Sequence, residues 1–240
     1  MAIEAITFDF WDTLVRADSS ASRIARRIAV AEALAQHGLT AEHDNIEAAF
    51  DQAFSRFNSS WGTGEQYTGH HAAETVLDAL GHADNHQVRI DVIDAYLSAG
   101  RDVTLDLADN VAVTLRTLKD AGLRLGIICD VGLTPSTTLR HYLDRHGVLS
   151  LFDYWSFSDD VGVYKPDPFI FEHALLGLGG VSPSNTAHIG DLRRTDITGA
   201  LGMGILALRY RGITDDDPAN GPEANIVIDD YAELPAALGL

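Results

Sequence analysis

Apolar and polar positions change period along this 240-residue chain, and the changes divide it. Ala5-Ile6-Thr7-Phe8 is short, apolar and partly β-branched, which predicts a buried strand. From residue 22 to about residue 100 the period becomes helical. Ile24, Ile28 and Ala35 mark a first helix, and Ile46, Phe50, Ala53, Phe54 and Phe57 a second. Val76, Leu77 and Leu80 suggest a third, and Val92, Ile93 and Leu97 a fourth. No strand pattern interrupts them, so this stretch predicts an all-helical module.

After residue 104 strands and helices alternate. Val111, Leu115 and Leu118 mark a helix, Leu123 to Cys129 a strand, and Thr134-Pro135 the start of a helix reaching His146. Tyr154 to Phe157 is a strand, and Asp167-Pro168 opens a helix to Leu178. A strand at Thr186 to Gly190, a helix at Thr195 to Leu201, strands at Ile205 to Leu208 and Asn225 to Ile228, and a short C-terminal helix complete the pattern. Such alternation predicts an α/β fold built on a doubly wound parallel sheet, with ligands bound at the carboxyl ends of its strands. The predicted organisation is an α/β core formed by residues 1–15 and 104–240, with a helical domain inserted at 16–103.

Charge narrows the partners. With 35 acidic and 17 basic residues the formal net charge is −18, a surface that repels nucleic acid and anionic lipid. No apolar run approaches the ~18 residues of a membrane span. The expected partner is a small anionic substrate, which would need a local positive site. The chain has two lysines, Lys119 and Lys165, so their placement is informative. Cys129 is the single cysteine, which rules out an internal disulfide and suits a cytoplasmic setting. Met1-Ala2-Ile3-Glu4 has no basic stretch followed by a long apolar run, so no signal peptide is expected there. Nothing in the pattern specifies an oligomer.

Three predicted strand ends carry acids: Asp9, Cys129-Asp130 and Asp191. Lys165 lies in the loop Tyr164-Lys165-Pro166-Asp167-Pro168. Carboxylates gathered beside one lysine are expensive to bury unless a hard divalent cation joins them, and Mg²⁺ is suited to one or two carboxylates plus phosphate oxygens. Asp130 reads as a turn acid and stays outside the catalytic set. Cys129 reads foremost as a small buried hydrophobe at a strand end.

These segments resemble the motifs of the haloacid dehalogenase-like hydrolases. Phe8-Asp9-Phe10-Trp11-Asp12-Thr13-Leu14 is similar to the first motif, Asp-x-Asp-Gly-Thr-Leu in its phosphatase form. Ile127-Ile128-Cys129-Asp130 takes the place of the second, Lys165-Pro166-Asp167-Pro168 that of the third, and Gly190-Asp191 with Asp196 that of the fourth. The resemblance runs from Ile3 to about Arg211, and the insert is similar to that family's small α-helical cap. It implies that Asp9 attacks phosphorus and becomes an aspartyl-phosphate. It implies a Mg²⁺ held by Asp9, the backbone carbonyl of Trp11 and Asp191, with Asp196 directly or through water. Lys165 would balance the developing charge, and Thr13 and Cys129 would orient nucleophile and phosphoryl group.

Two positions depart from the motif. The family's phosphatases carry an acid/base Asp two residues after the nucleophile; here it is Trp11, and Asp12 stands one further on as the substitute candidate. Cys129 replaces the usual Ser or Thr. The expectation is a Mg²⁺-dependent phosphatase for a small phosphorylated metabolite. The aromatic at position 11 keeps a 2-haloacid dehalogenase-type chemistry as an alternative, and a catalytically weak binding or regulatory protein as another. In the helical module, Trp61, Tyr67, His70 and His71 read as module core and loop, His82 and His86 as flanking a turn rather than holding zinc, and Arg23, Arg26 and Arg27 as a solvated face.

Overall fold

The computed structural model describes residues 2–82 and 84–240, and the chain divides into two compact units. Met1, where the predicted core begins, and Ala83, inside the predicted turn between His82 and His86, lie outside the described residues. The first unit comprises Met1–Ala17, Leu105–Asp130 and Leu143–Leu240; the second comprises Asp18–Thr104 and Val131–Tyr142. Residues 131–142, counted with the α/β core in the sequence reading, pack with the helical unit.

The first unit is built on a six-stranded parallel sheet. Its strands are β1 (Ala5–Phe8), β2 (Arg124–Cys129), β3 (Tyr154–Phe157), β4 (Thr186–Gly190), β5 (Leu206–Tyr210) and β6 (Ile226–Ile228), in the spatial order β3-β2-β1-β4-β5-β6. All residues of β1 are buried, as a strand covered on both faces requires. The winding direction reverses between β1 and β4, and that reversal opens a crevice at their carboxyl ends. The β1–β4 register sets Thr7 opposite His188 and Phe8 opposite Ile189.

In chain order the helices are α1 (Ser19–Gln36), α2 (His43–Thr63), α3 (Gly69–Ala79), α4 (His86–Ser98), α5 (Val111–Asp120), α6 (Ser136–Arg145), α7 (Ser158–Val161), α8 (Pro168–Gly177), α9 (Thr198–Gly202) and α10 (Leu234–Ala237). Helix α8 starts where the sequence says, because the Asp167 carboxylate accepts the Phe169 N–H at 2.8 Å and Pro168 fills the first helical position. The helix expected over Thr195 to Leu201 is different. Arg193–Ile197 forms a wide π-turn, in which the Ile197 N–H reaches back five residues to the Leu192 carbonyl at 3.2 Å, and α9 follows. Arg193 anchors that turn, donating to Glu223 at 2.7 Å and to the Pro222 carbonyl at 3.2 Å.

In the second unit α1 to α4 bury Val30, Leu34, Phe50, Ala73, Leu77, Val92 and Tyr96 in one core. Each fully buried Val or Leu contributes roughly 1.5–3 kcal/mol relative to exposure. Helix α1 turns a different face inward than its apolar spacing suggests. Ile24 and Ile28 are 49% and 54% exposed and Phe54 of α2 is 50% exposed, while Arg26 is buried. Arg26 donates to Thr134 Oγ1 at 2.7 Å and lies over the Tyr96 ring, and these contacts set the rotation of the helix. Arg23 and Arg27 pair with Glu47, and Arg23 also with Asp51. Tyr67 is core, its hydroxyl 2.7 Å from Thr75, and His71 caps α3 by accepting the Thr68 N–H. Trp61 stacks on Phe57. Asn85 caps α4, as the turn between His82 and His86 requires. Among the described residues, no helix is long and apolar enough to cross a membrane.

Candidate active site

Asp9 follows β1 and Asp191 follows β4, so both stand at the crevice beside the reversal. The Asp9 N–H donates to the Ile189 carbonyl at 2.9 Å, which carries the strand pairing up to the acid itself. Lys165 reaches the same place from the loop between α7 and α8. Its backbone N–H donates to Asp130 Oδ1 at 2.9 Å, so the acid left out as a turn residue is what holds the loop at its lysine. The buried Lys165 ammonium donates to Asp9 Oδ1, to Asp196 Oδ1 at 2.7 Å and to the Ile128 carbonyl at 3.2 Å. Three partners engage its three N–H bonds. The other lysine, Lys119, pairs with Asp153 at the protein surface.

Asp196 is saturated. Its Oδ1 accepts from Lys165 and from His188 Nε2 at 3.1 Å; its Oδ2 accepts from the Leu192 N–H and from Thr195 Oγ1, both at 3.2 Å. The wide turn at 193–197 folds this carboxylate back over Gly190, where an added Cβ would overlap Asp196 Cγ. Only glycine leaves that space at the end of β4.

The charges explain the ionisation. Burial, opposed by Lys165 and reinforced by Asp196, pushes the Asp9 carboxyl up to about 7. Burial also raises Asp191 well above the usual carboxylate range, with the Asp9 and Asp196 charges adding to the rise. Burial works against the ionised form of Asp196, but Lys165 and the His188 hydrogen bond outweigh it and hold that carboxyl low. Burial would depress Lys165; Asp196 and Asp9 overcome it and raise the ammonium well above its ordinary value. Burial lowers the His188 ring, which favours its neutral form.

The remaining expected residues divide. Thr13 Oγ1 lies 3.4 Å from Asp191 Oδ1, so it faces the second acid rather than Asp9. Cys129 ends β2 and is fully buried; burial first, then the Asp9 charge, pushes its thiol up and keeps it protonated. Trp11 sets its indole edge-on to Phe10, with ring centroids 5.0 Å apart. Asp12 occupies left-handed backbone at φ 50°, and its carboxylate accepts the Ala17 N–H at 3.0 Å, closing the turn after Asp9.

Sequence reasoning missed His188, Thr7 and Tyr231, and it named Asp130 only as a turn acid. Strand alternation was the available signal for two of them: Thr7 precedes Asp9 by two and shares its face, as His188 does with Gly190. Tyr231 is fully buried against Phe8 and Tyr210, and its hydroxyl has no partner among the described residues. Burial raises that phenol, with Tyr210, Asp9 and Asp191 adding to the rise.

Carboxylate oxygens of Asp9, Asp191 and Asp196 lie within 4.8 Å of one another, all buried. Three acids face one ammonium, so the cluster carries excess negative charge whenever all three ionise. Hard oxygen donors with that imbalance fit a divalent cation. Asp196 spends all four of its lone-pair directions on protein donors, which leaves Asp9 and Asp191 as the acids able to bind such an ion directly.

A doubly wound parallel core with acids at two strand ends and a buried lysine beside them defines a Rossmann-like α/β protein with a charged crevice at the carboxyl ends of its strands. The chain belongs to the haloacid dehalogenase-like hydrolases, whose sequence model matches residues 3–204. It is 27% identical over 226 residues to haloacid dehalogenase-like hydrolase domain-containing protein 3 of Bos taurus, covering 91% of this chain and 86% of that one. It is 27% identical over 245 residues to glyceraldehyde 3-phosphate phosphatase of Methanothermobacter thermautotrophicus, covering 97% and 98%. A crystal structure of 2-haloacid dehalogenase from Pseudomonas syringae pv. Tomato superposes with a TM-score of 0.71 at 22% identity, covering 99% and 98%; at that identity the likeness concerns the fold.

Proposed function

We propose that the protein is a Mg²⁺-dependent phosphatase acting on a small phosphorylated metabolite through a covalent aspartyl-phosphate on Asp9. One observation carries the reading: the buried Lys165 ammonium is shared between Asp9 and Asp196, with Asp191 in the same cluster. Asp9 and Asp191, with the Trp11 carbonyl, would hold the ion, and Asp196, engaged by protein donors, would steer Lys165 beside it. Bound there, Mg²⁺ would offset the charge between carboxylate and phosphate and orient in-line attack.

The chain's own residues do the rest. Lys165 favours the ionised form of Asp9 against burial and aims the carboxylate. An Asp9 oxygen attacks phosphorus, and the bond to the leaving oxygen breaks with its electron pair. Water then attacks the phosphorus of the aspartyl-phosphate, the bond from phosphorus to the Asp9 oxygen breaks and restores the Asp9 carboxylate, and inorganic phosphate leaves with one of the water's protons while the other passes to solvent. Trp11 cannot protonate a leaving group at neutral pH, and Asp12 is engaged with the Ala17 N–H. The favoured substrates therefore leave without a proton: acyl phosphates and aryl phosphates. We assign the helical unit the role of a substrate-selecting cap, and the single buried cysteine is consistent with a cytoplasmic site of action.

Purified protein with Mg²⁺ should release phosphate from acetyl phosphate or p-nitrophenyl phosphate, and Asp9→Asn should abolish it. Retained activity in that variant, or no turnover of either compound, would sink the reading. Halide release from 2-haloacids that persists in EDTA would establish the dehalogenase alternative, which Trp11 favours and the metal-type acids oppose.

A further inference from the structure

We infer that His188 is a positioning residue, which fixes Asp196, and through it Lys165, against the nucleophile Asp9. The inference rests on the phosphatase reading above and names a part of that site which the sequence motifs do not include.

The β1–β4 register sets Thr7 beside His188. The imidazole is fully buried and gripped at both nitrogens: Nδ1 lies 2.9 Å from Thr7 Oγ1 and Nε2 lies 3.1 Å from Asp196 Oδ1. Phe171 packs edge-on against the ring at 5.3 Å. An ionised carboxylate only accepts, so Nε2 carries the hydrogen and donates it. The oxygen that accepts it is the one that accepts Lys165 Nζ. The ring is thus a fixed post between a central strand and the carboxylate that steers the lysine. Gly190 lies two residues along the same strand face and provides the room in which that carboxylate sits. Without the His188 donor, Asp196 Oδ1 keeps one partner, and the Asp196–Lys165 pair gains freedom to rotate away from Asp9.

A histidine that merely fills the core would be replaced by leucine at a cost in stability alone. The test compares His188→Leu, which removes the donor, with His188→Gln, whose amide N–H can take the place of Nε2–H. Steady-state turnover of p-nitrophenyl phosphate, Mg²⁺ affinity by calorimetry and thermal midpoint are measured for each. A hydrogen bond to a charged acceptor is worth enough that His188→Leu should lower kcat about 10- to 100-fold. KM and the Mg²⁺ Kd should stay within about threefold of the parent, since Asp196 is not a direct ligand. His188→Gln should recover most of the loss. The ¹⁵N-histidine spectrum should show a protected, downfield Nε2–H proton in the parent that both variants lack. If His188→Leu does not fold, Thr7→Val carries the test: it frees Nδ1 and should give a smaller fall in kcat with the same unchanged Mg²⁺ affinity.

Equal losses in the Leu and Gln variants at matched thermal midpoints would overturn the inference. So would Mg²⁺ affinity falling in step with kcat, or parent-like kcat in His188→Leu. An inactive parent, or an Asp9→Asn variant that still turns over, is a different result: it overturns the phosphatase reading and this inference with it.

Discussion

Replacing Lys165 with methionine is the sharpest perturbation of the buried cluster. Methionine is of similar length and apolar, so the space stays filled while the charge and three hydrogen bonds go. Three acids are then left without their buried cation. Removing one partner of a buried pair typically costs about 3–5 kcal/mol, because the remaining charge stays desolvated. For a chain of this size that corresponds to a fall in thermal midpoint of roughly 6–20 °C. The sign of the pH dependence follows from which group titrates. Lys165, raised well above its ordinary value, is fully charged at both pH 6 and pH 8, so its contribution is present at both. In the variant Asp9 loses its counter-charge and rises above the value of about 7 it holds with Lys165 present. A carboxyl raised in the folded state favours folding while protonated and loses that advantage as pH climbs through the folded value. The penalty of Lys165→Met should therefore be larger at pH 8 than at pH 6, where a proton substitutes for the ammonium. Urea unfolding in EDTA, followed by far-UV circular dichroism and tryptophan fluorescence at both pH values, measures it. A loss below ~1 kcal/mol at pH 8, or the same loss at both, would refute the reasoning.

Other outcomes follow from the same cluster. Protons and Mg²⁺ compete for Asp9, whose carboxyl sits at about 7, so Mg²⁺ should bind about tenfold more weakly at pH 6 than at pH 8 by calorimetry; equal or tighter binding at pH 6 would be inconsistent with a site at these acids. Gly190→Ala places a methyl where Asp196 Cγ lies, so it should cost ~1–3 kcal/mol in denaturant titrations and lower kcat sharply; a fully active variant would show that the Asp196 geometry is not needed. Trp11→Asp should raise kcat/KM for an alkyl phosphate by ~10²-fold or more while changing acetyl phosphate little. Equal effects on both would show that leaving-group protonation is not what this chain lacks.

Much of the fold was legible because its signals are local. Ala5–Phe8 and Thr186–Gly190 are strands where the apolar runs placed them, and Asp167-Pro168 starts its helix through contacts two residues apart. The acid and lysine motifs were legible for the same reason, each being a short segment at a strand end. Helix α1 was harder to orient. Its apolar spacing pointed to Ile24 and Ile28, but Arg26 is buried by Tyr96 and Thr134, partners 70 and more residues away. Asp12 looked available as an acid until the backbone turn engaged it with Ala17.

By itself the sequence determined the strand and helix periods, the order of the motifs and the chemistry on offer, because side-chain type and spacing act over a few residues. Only the tertiary structure decided who meets whom. Parallel pairing brings Thr7 beside His188, 181 residues apart, and the wide turn at 193–197 folds Asp196 onto Gly190. That Asp130 holds the Lys165 loop, and that Lys165 meets both Asp9 and Asp196, are consequences of long-range packing. Local pattern carries no record of them, since strand register and burial are set by the whole sheet closing at once.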